Sequence, residues 1–410
     1  MADQGKDPVK ERNLRIVTGK TFLNGLASSM MRAVMQPFVL SLGAPMSTLG
    51  FLESLGGMHG LLPSTLQYYS GWLSDRLGRK PFLILANASG VLGVGLLIVA
   101  AVTGNWLWLL PGVVLAWTTM MGDPVDRSVV AESSPISGRG AAYSMLMMAH
   151  AAPGIFAPAL GGWLADRAGF VPVFALEALL YAAGLLLVLR FLHETIRRAG
   201  ERLNWSKLKT ATRRLIVPPR GLRGYYWTMA VDSFAWGLTL SLLFGMLTQT
   251  YGLSTFQLGV MSSLMALTWT LSQWPVGRLI DRLGSKPMML VSQIGGIPIV
   301  LGFVFATSFP AFAVLYACVG VMAATWMPAQ IAILANSTGE RGVGEAMGRL
   351  AAFQGLVGFP APFVAGLLYE RFGFQAPLLA GLAGIVVTIV MLSVLVKEPQ
   401  AGEPLGAPPV

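Results

Sequence analysis

Gly71-Trp-Leu-Ser-Asp75-Arg-Leu-Gly-Arg79-Lys80-Pro81 decides how this chain is read, because its core pattern, Gly-x-x-x-(Asp/Glu)-Arg-x-Gly, occurs four times. The other copies run from Gly162 through Asp166 and Arg167, from Gly277 through Asp281 and Arg282, and from Gly366 through Glu370 and Arg371. Position 162 lies 91 beyond 71 and position 366 lies 89 beyond 277, while the two pairs are offset by 206 and 204. Two halves, each a pair of smaller units, make a fourfold repeat, the pattern expected of a secondary transporter built from inverted units.

Composition leads to the same class independently. Of 410 residues, 54% are hydrophobic and only 12% charged, with a mean hydropathy of +0.63; a soluble domain carries about 25% charged residues. Apolar stretches long enough to span a bilayer fall at 16–40, 47–71, 82–103, 106–131, 140–163, 171–192, 225–249, 256–277, 287–307, 309–334, 346–368 and 375–396. The expected fold is therefore an all-α membrane protein with twelve transmembrane helices in two pseudo-symmetric six-helix bundles. Each bundle, 1–192 and 225–397, is an inverted pair of three-helix units. Between them, residues 193–224 are basic (Arg197, Arg198, Arg202, Lys207, Lys209, Arg213, Arg214) with Leu203, Trp205, Leu208, Leu215 and Ile216 interspersed. That mixture suits a helix lying on anionic lipid or a solvated linker. Residues 398–410, with four prolines and two glycines, read as a disordered tail.

The placement of cations sets the orientation. With the N-terminus inside, 26 of the 29 Lys and Arg are cytoplasmic, Arg32 falls within a span, and only Arg167 and Arg371 lie outside. Both termini are thus expected in the cytoplasm, in the plasma (inner) membrane. Topology accounts for the net charge of +10, so nucleic acid is not an expected partner. The first fifteen residues are polar, which argues against a cleaved signal peptide. A single cysteine, Cys318, excludes an internal disulfide and a cysteine metal cluster. No cofactor, metal or enzyme chemistry is expected: the chain has no Gly-rich nucleotide loop and only three histidines.

Gly71 to Lys80 resembles the signature between helices 2 and 3 of the major facilitator superfamily, its second copy at Gly277 stands at the expected spacing, and the resemblance covers essentially the whole chain. Pro158-Ala-Leu-Gly161-Gly162 on span 5 resembles part of the motif in that family's drug:proton antiporters, with Ala157 where the family has glycine. The arginine often found midway along span 4 is missing, the region reading Ala116-Trp-Thr118-Thr119-Met. The resemblance implies two bundles rocking about a central cavity, with gating by Gly71, Asp75, Arg76, Arg79, Gly277 and Asp281. It implies that Asp75 faces the N-terminus of helix 11 and that Arg79 pairs with an acid at the end of helix 4. Glu132 is the first choice and Asp126 the reserve. In the second half the equivalents of Arg79 and Glu132 are Ser285 and Asn336, so this charge latch belongs to the first half alone.

Ionisable groups inside spans are functional candidates by default. Helical rise places Arg32 and Glu53 at similar depth, so they are expected to pair, with Glu177 as a competing partner; Arg32 is either structural or a substrate ligand. His59 and His150 each stand twelve residues before a repeat glycine and land near mid-membrane, where a group titrating near pH 6.5 can relay protons. Ordinary hydrogen-bonded packing is the competing reading. Asp123 matches His150 in depth. Asp232, the one acid within spans of the second half, reads as a gate residue or a cap near the inner face. Prolines 37, 63, 124, 153, 158, 328, 360 and 362 are expected to bend helices, and abundant Met and aromatic side chains suit a pliable apolar cavity. The expected partners are a small-molecule substrate, protons and membrane lipids, acting on a monomer. The expected function is proton-coupled export of lipophilic or cationic small molecules. The alternative is a proton-coupled transporter of a specific metabolite, sugar or organic anion with Arg32 as ligand.

Overall fold

A computed structural model describes residues 8–57, 60–135, 138–196, 217–338 and 343–396. His59, most of the basic linker and the proline-rich tail, on which expectations were placed above, lie outside the described residues. Among the described residues the chain forms twelve helical spans and no strand. They are α1 (Pro8–Ser41), α2 (Met46–Gly56 continued by Leu61–Leu77), α3 (Arg79–Thr103), α4 (Trp106–Trp108 through Gly122–Ser133) and α5 (Arg139–Ala151 continued by Ala157–Ala168). Next come α6 (Phe170–Phe191), α7 (Arg223–Leu240 continued by Leu243–Tyr251), α8 (Thr255–Leu283) and α9 (Ser285–Phe305). The last three are α10 (Phe309–Thr338), α11 (Val343–Gly358 continued by Pro360–Phe372) and α12 (Gln375–Leu395). Eight are long and apolar enough to cross a membrane by length and composition. The other four, α1, α2, α4 and α8, are interrupted or carry charges, and those charges are where the chemistry lies.

The closing glycine of every repeat copy has the same job. Gly78, Gly169, Gly284 and Gly373 take φ of 101°, 82°, 89° and 82°, a region that costs a residue with a Cβ but not glycine. Gly78, Gly169 and Gly284 each end one helix and start the next, and Gly373 ends α11 one residue before the turn into α12. The following cation completes the turn in both halves: Lys80 Nζ donates to the carbonyls of Leu189 and Leu192 at the end of α6, and Lys286 Nζ to that of Ser393 at the end of α12. A cation against the carbonyls of a helix C-terminus is favourable.

Not every proline interrupts its helix. Pro153, Pro158 and Pro360 stand at interruptions of α5 and α11. Pro37 and Pro328 lie inside helices that remain continuous, so Pro328 does not reproduce the tightened turn at 119–121 that precedes its repeat equivalent Pro124. The break in α7 at 241–242 has no proline, and its cause lies on another helix, as described below.

The cores divide by height. At the face opposite the termini, called here the far face, one apolar cluster is shared by both bundles. It runs from Val34, Phe38 and Met46 to Leu243, Met246 and Leu378. Toward the terminal face there are two separate cores. One is built from Val17, Leu83 and Val129 of the first bundle, the other from Tyr226, Met289 and Ile333 of the second. Among the described residues, the apolar core that joins the bundles therefore lies at the far face.

Candidate functional site

The opening glycine and the acid of each repeat copy are either engaged across the two bundles or not, and the choice follows the face. On the far face, a Cβ on Gly162 would lie 2.2 Å from the carbonyl oxygen of Thr255, and one on Gly366 would lie 2.6 Å from that of Met46. Partner glycines answer from the opposing helices: a Cβ on Gly259 would meet the Pro158 carbonyl at 2.3 Å, and one on Gly50 the Pro362 carbonyl at 2.4 Å. Backbones this close admit no side chain. Four residues on, the acids use that proximity. Asp166 accepts from the N–H groups of Thr255 (3.0 Å) and Phe256 (2.9 Å), the first residues of α8, and Glu370 accepts from that of Ser47 (2.7 Å) in the first turn of α2. Each carboxylate caps a helix N-terminus of the other bundle, where unpaired donors and the helix dipole favour an anion.

At the terminal face the same parts are disengaged. Nothing lies within 4 Å of a Cβ on Gly277, and Gly71 meets only Pro124 of its own bundle. Asp75, with a side chain 59% exposed, binds Arg79 (2.5 Å) rather than the start of α11, so the expected cap is not made in this conformation. Asp281 is exposed and makes no polar contact among the described residues. Arg76 is half-buried.

Arg79 and Glu132 are in contact. The Arg79 guanidinium reaches Glu132 at 2.8 Å and the Ser74 hydroxyl at 2.7 Å. Two further groups brace it that sequence reasoning missed: Thr195, whose hydroxyl donates to Glu132, and Glu194, which accepts from the N–H groups of Arg79 (2.9 Å) and Lys80 (3.0 Å) at the start of α3. Asp126, the reserve partner, is elsewhere.

Asp126 binds Lys20 at 2.5 Å, with side chains only 5% and 2% exposed, and Thr21 adds a longer contact. Lys20 is therefore buried inside the first bundle and not among the surface cations with which it was counted above. Gly184 on α6 leaves room for its stem, since a Cβ there would lie 2.8 Å from Asn87 Oδ1 and 3.4 Å from Lys20 Cγ.

The expected Arg32–Glu53 pair does not form. Glu53 accepts instead from Gln36 Nε2 (3.1 Å), one turn beyond Arg32 on α1. The same Gln36 amide donates to the Ser241 carbonyl (2.6 Å) and accepts from the Gly245 N–H (2.8 Å). Those are an i, i+4 pair of backbone groups across the break in α7, so a side-chain amide from the first bundle stands in for a missing helical hydrogen bond of the second. Glu177 is fully buried and bonds neither Arg32 nor any other described residue. Asp232 caps no helix end: it lies inside α7, is buried, accepts from Gln293 Nε2 (2.6 Å) on α9, and the other end of that amide accepts from Trp236 (3.3 Å). His150 does come near Asp123, with Arg32, Lys20 and Arg127 also in electrostatic range.

Glycines and acids that lock two six-helix bundles at one face and stand apart at the other are the geometry of a rocking pair of bundles. The family model for the Major Facilitator Superfamily matches residues 20–247 and 225–409. This chain belongs to the major facilitator superfamily. As a superfamily member it is a multi-pass membrane protein and a secondary transporter, not a member of an enzyme family. It is 25% identical over 370 residues to the multi-drug resistance efflux pump PmrA of Streptococcus pneumoniae, covering 89% of this chain and 91% of the pump. It is 23% identical over 398 residues to the multidrug resistance protein MdtG of Dickeya zeae, covering 93% of each. Among solved structures it is similar to a D-xylose–proton symporter (TM-score 0.72, 14% identity, covering 96% of this chain and 99% of that one). It is also similar to the human organic anion transporter MFSD10 (TM-score 0.65, 19% identity, covering 94% and 100%).

Proposed function

We propose that this superfamily member is a proton-coupled exporter of lipophilic small molecules that alternates between a far-closed and a terminal-closed state. The observation that carries the reading is the split engagement of one motif: Gly162–Asp166 and Gly366–Glu370 are locked across the bundles, while Gly71–Asp75 and Gly277–Asp281 are free to lock in the other state. Export as the direction is supported by the efflux names of PmrA and MdtG. The terminal face is cytoplasmic in this reading, supported by the excess of Lys and Arg there. One chain supplies both bundles and the cavity between them, so it works as a monomer.

In the terminal-closed state Asp75 would leave solvent for the N-terminus of α11, and Asp281 would do the same for α5. Arg79, held by Glu132, keeps the end of α2 aligned with α4 for that closure. Asp75→Asn and Arg79→Ala are expected to lower turnover at least tenfold without loss of folded protein; normal turnover in both removes the gating role. Proton coupling is assigned to Asp123 with His150, which lie within electrostatic reach of each other and of Arg32, in preference to Asp232, which is buried and held by Gln293.

The test is reconstitution in liposomes with an imposed pH gradient and a neutral lipophilic dye. Dye flux should follow the gradient and move lumenal pH, and His150→Gln should flatten the dependence of flux on pH. Flux indifferent to the gradient contradicts the coupling.

A further inference from the structure

Arg32 is a charge that the described residues leave unanswered. Helix α1 is enclosed, packing on α4, α5 and α6 of its own bundle and on α7 and α8 of the other. A side chain exposed at mid-height on such a helix opens to the space between the bundles and not to lipid. Arg32 is exposed there and makes no hydrogen bond or ion pair among the described residues. A cation at this depth is costly unless paired or facing a water-filled cavity.

Every embedded acid that could serve it, or could serve a cationic substrate instead, has other company or other surroundings. Glu53 is held by Gln36, Asp126 by Lys20 and Asp232 by Gln293. Glu177 is sealed in the bundle. Asp123 shares its neighbourhood around His150 with three cations, Lys20, Arg32 and Arg127. Of those three cations only Lys20 has a carboxylate of its own, Asp126, so Asp123 is one acid between Arg32 and Arg127.

The second bundle provides the other wall. Tyr316 on α10 lies in electrostatic range of Arg32, and its ring packs on Phe244 of α7 at 5.2 Å between centroids. A phenol is a hydrogen-bond donor, and a guanidinium presents a planar fork of donors suited to an oxyanion. Met31 and Met35, flanking Arg32 on α1, add adaptable apolar surface.

We infer that the cavity contains an anion site formed by Arg32 with Tyr316 opposite, and that the substrate is an amphipathic organic anion whose carboxylate, sulfonate or phosphate group binds there. The inference rests on the transporter reading for its setting and narrows the substrate class. Its ligand spans both bundles, so occupancy is felt by both sides of the rocking motion. A free inorganic anion offers the same charge without the apolar body.

The experiment measures equilibrium binding to the purified full chain in lipid nanodiscs, with no gradient. Failure of export would therefore leave this result standing, and failure here would leave neutral-dye export standing. The probes are 11-(dansylamino)undecanoate, its methyl ester, and inorganic phosphate as competitor. The acid should bind at least tenfold tighter than the ester. Arg32→Gln should lose that tenfold while binding the ester as before, which also shows that the variant is folded, and Arg32→Lys should restore part of the preference. Equal binding of acid and ester by the parent chain, or unchanged acid binding by Arg32→Gln, overturns the site. Displacement of the acid by phosphate at an equal concentration overturns the amphipathic class.

Discussion

Gly162→Leu should cut turnover tenfold or more while Gly277→Leu acts in the opposite conformational sense. Any Cβ at position 162 falls 2.2 Å from the Thr255 carbonyl oxygen, a backbone atom that cannot swing aside, so α5 and α8 must separate. Overpacking of this kind costs about 1–3 kcal/mol, and it falls on the far-closed state alone. Each 1.4 kcal/mol is about tenfold in population, so the state shown here loses population by about that factor relative to the other. It also withdraws Asp166 from the N–H groups of Thr255 and Phe256, which adds to the effect. Gly277 meets nothing within 4 Å in this state. Leucine there is free now and obstructs only the closure of the terminal face, trapping the far-closed form. Both variants stall the cycle, from opposite ends.

Lys20→Met alone should destabilise the first bundle by about 3–5 kcal/mol, because it leaves Asp126 as an unpaired charge in a site from which water is excluded. At roughly 2–4 °C per kcal/mol for a unit of this size, the unfolding midpoint should fall on the order of 10 °C. The double variant Lys20→Met, Asp126→Leu should recover most of that loss, since a buried pair stabilises little beyond the apolar residues that could replace it. The recovery separates pairing from packing. A double variant no more stable than the single one would mean that the Lys20 stem, packed beside Gly184, matters more than its ammonium.

The parts of this molecule carried by periodicity were legible in the sequence. Twelve spans, their order and the fourfold repeat follow from apolar run length and from spacing, which are local or nearly so, while the Arg79–Glu132 pair came from the family resemblance. What was missed depends on which way a helix is turned. Depth arithmetic placed Glu53 within one turn of Arg32, and the neighbour it meets is Gln36, four residues on: an amide answered where a charge was expected. Lys20 and Asp126 lie at equal depth from the same face, near the ends of spans 1 and 4, and that match can be read from residue numbers alone. Counting Lys20 among the surface cations hid it. The far-face caps were hidden differently. Asp166 and Glu370 were visible as repeat copies of Asp75, but the helix N-terminus that the resemblance assigned to Asp75 was not carried over to them.

The central claim is that the four motif copies act as two gates in opposition, and the distance between bundles at each face tests it most directly. In a Cys318→Ser background, spin-label pairs at Arg167 and Gln249 report the far face, and pairs at Arg139 and Leu283 the terminal face; all four positions carry exposed or chain-end residues. Electron–electron double resonance on the unliganded protein should give a short far-face distance and a long terminal-face distance. Gly162→Leu should lengthen the first and shorten the second together. A far-face distance that lengthens while the terminal-face distance stays fixed would contradict the account, because the two glycine–acid gates would then not be alternatives of one motion.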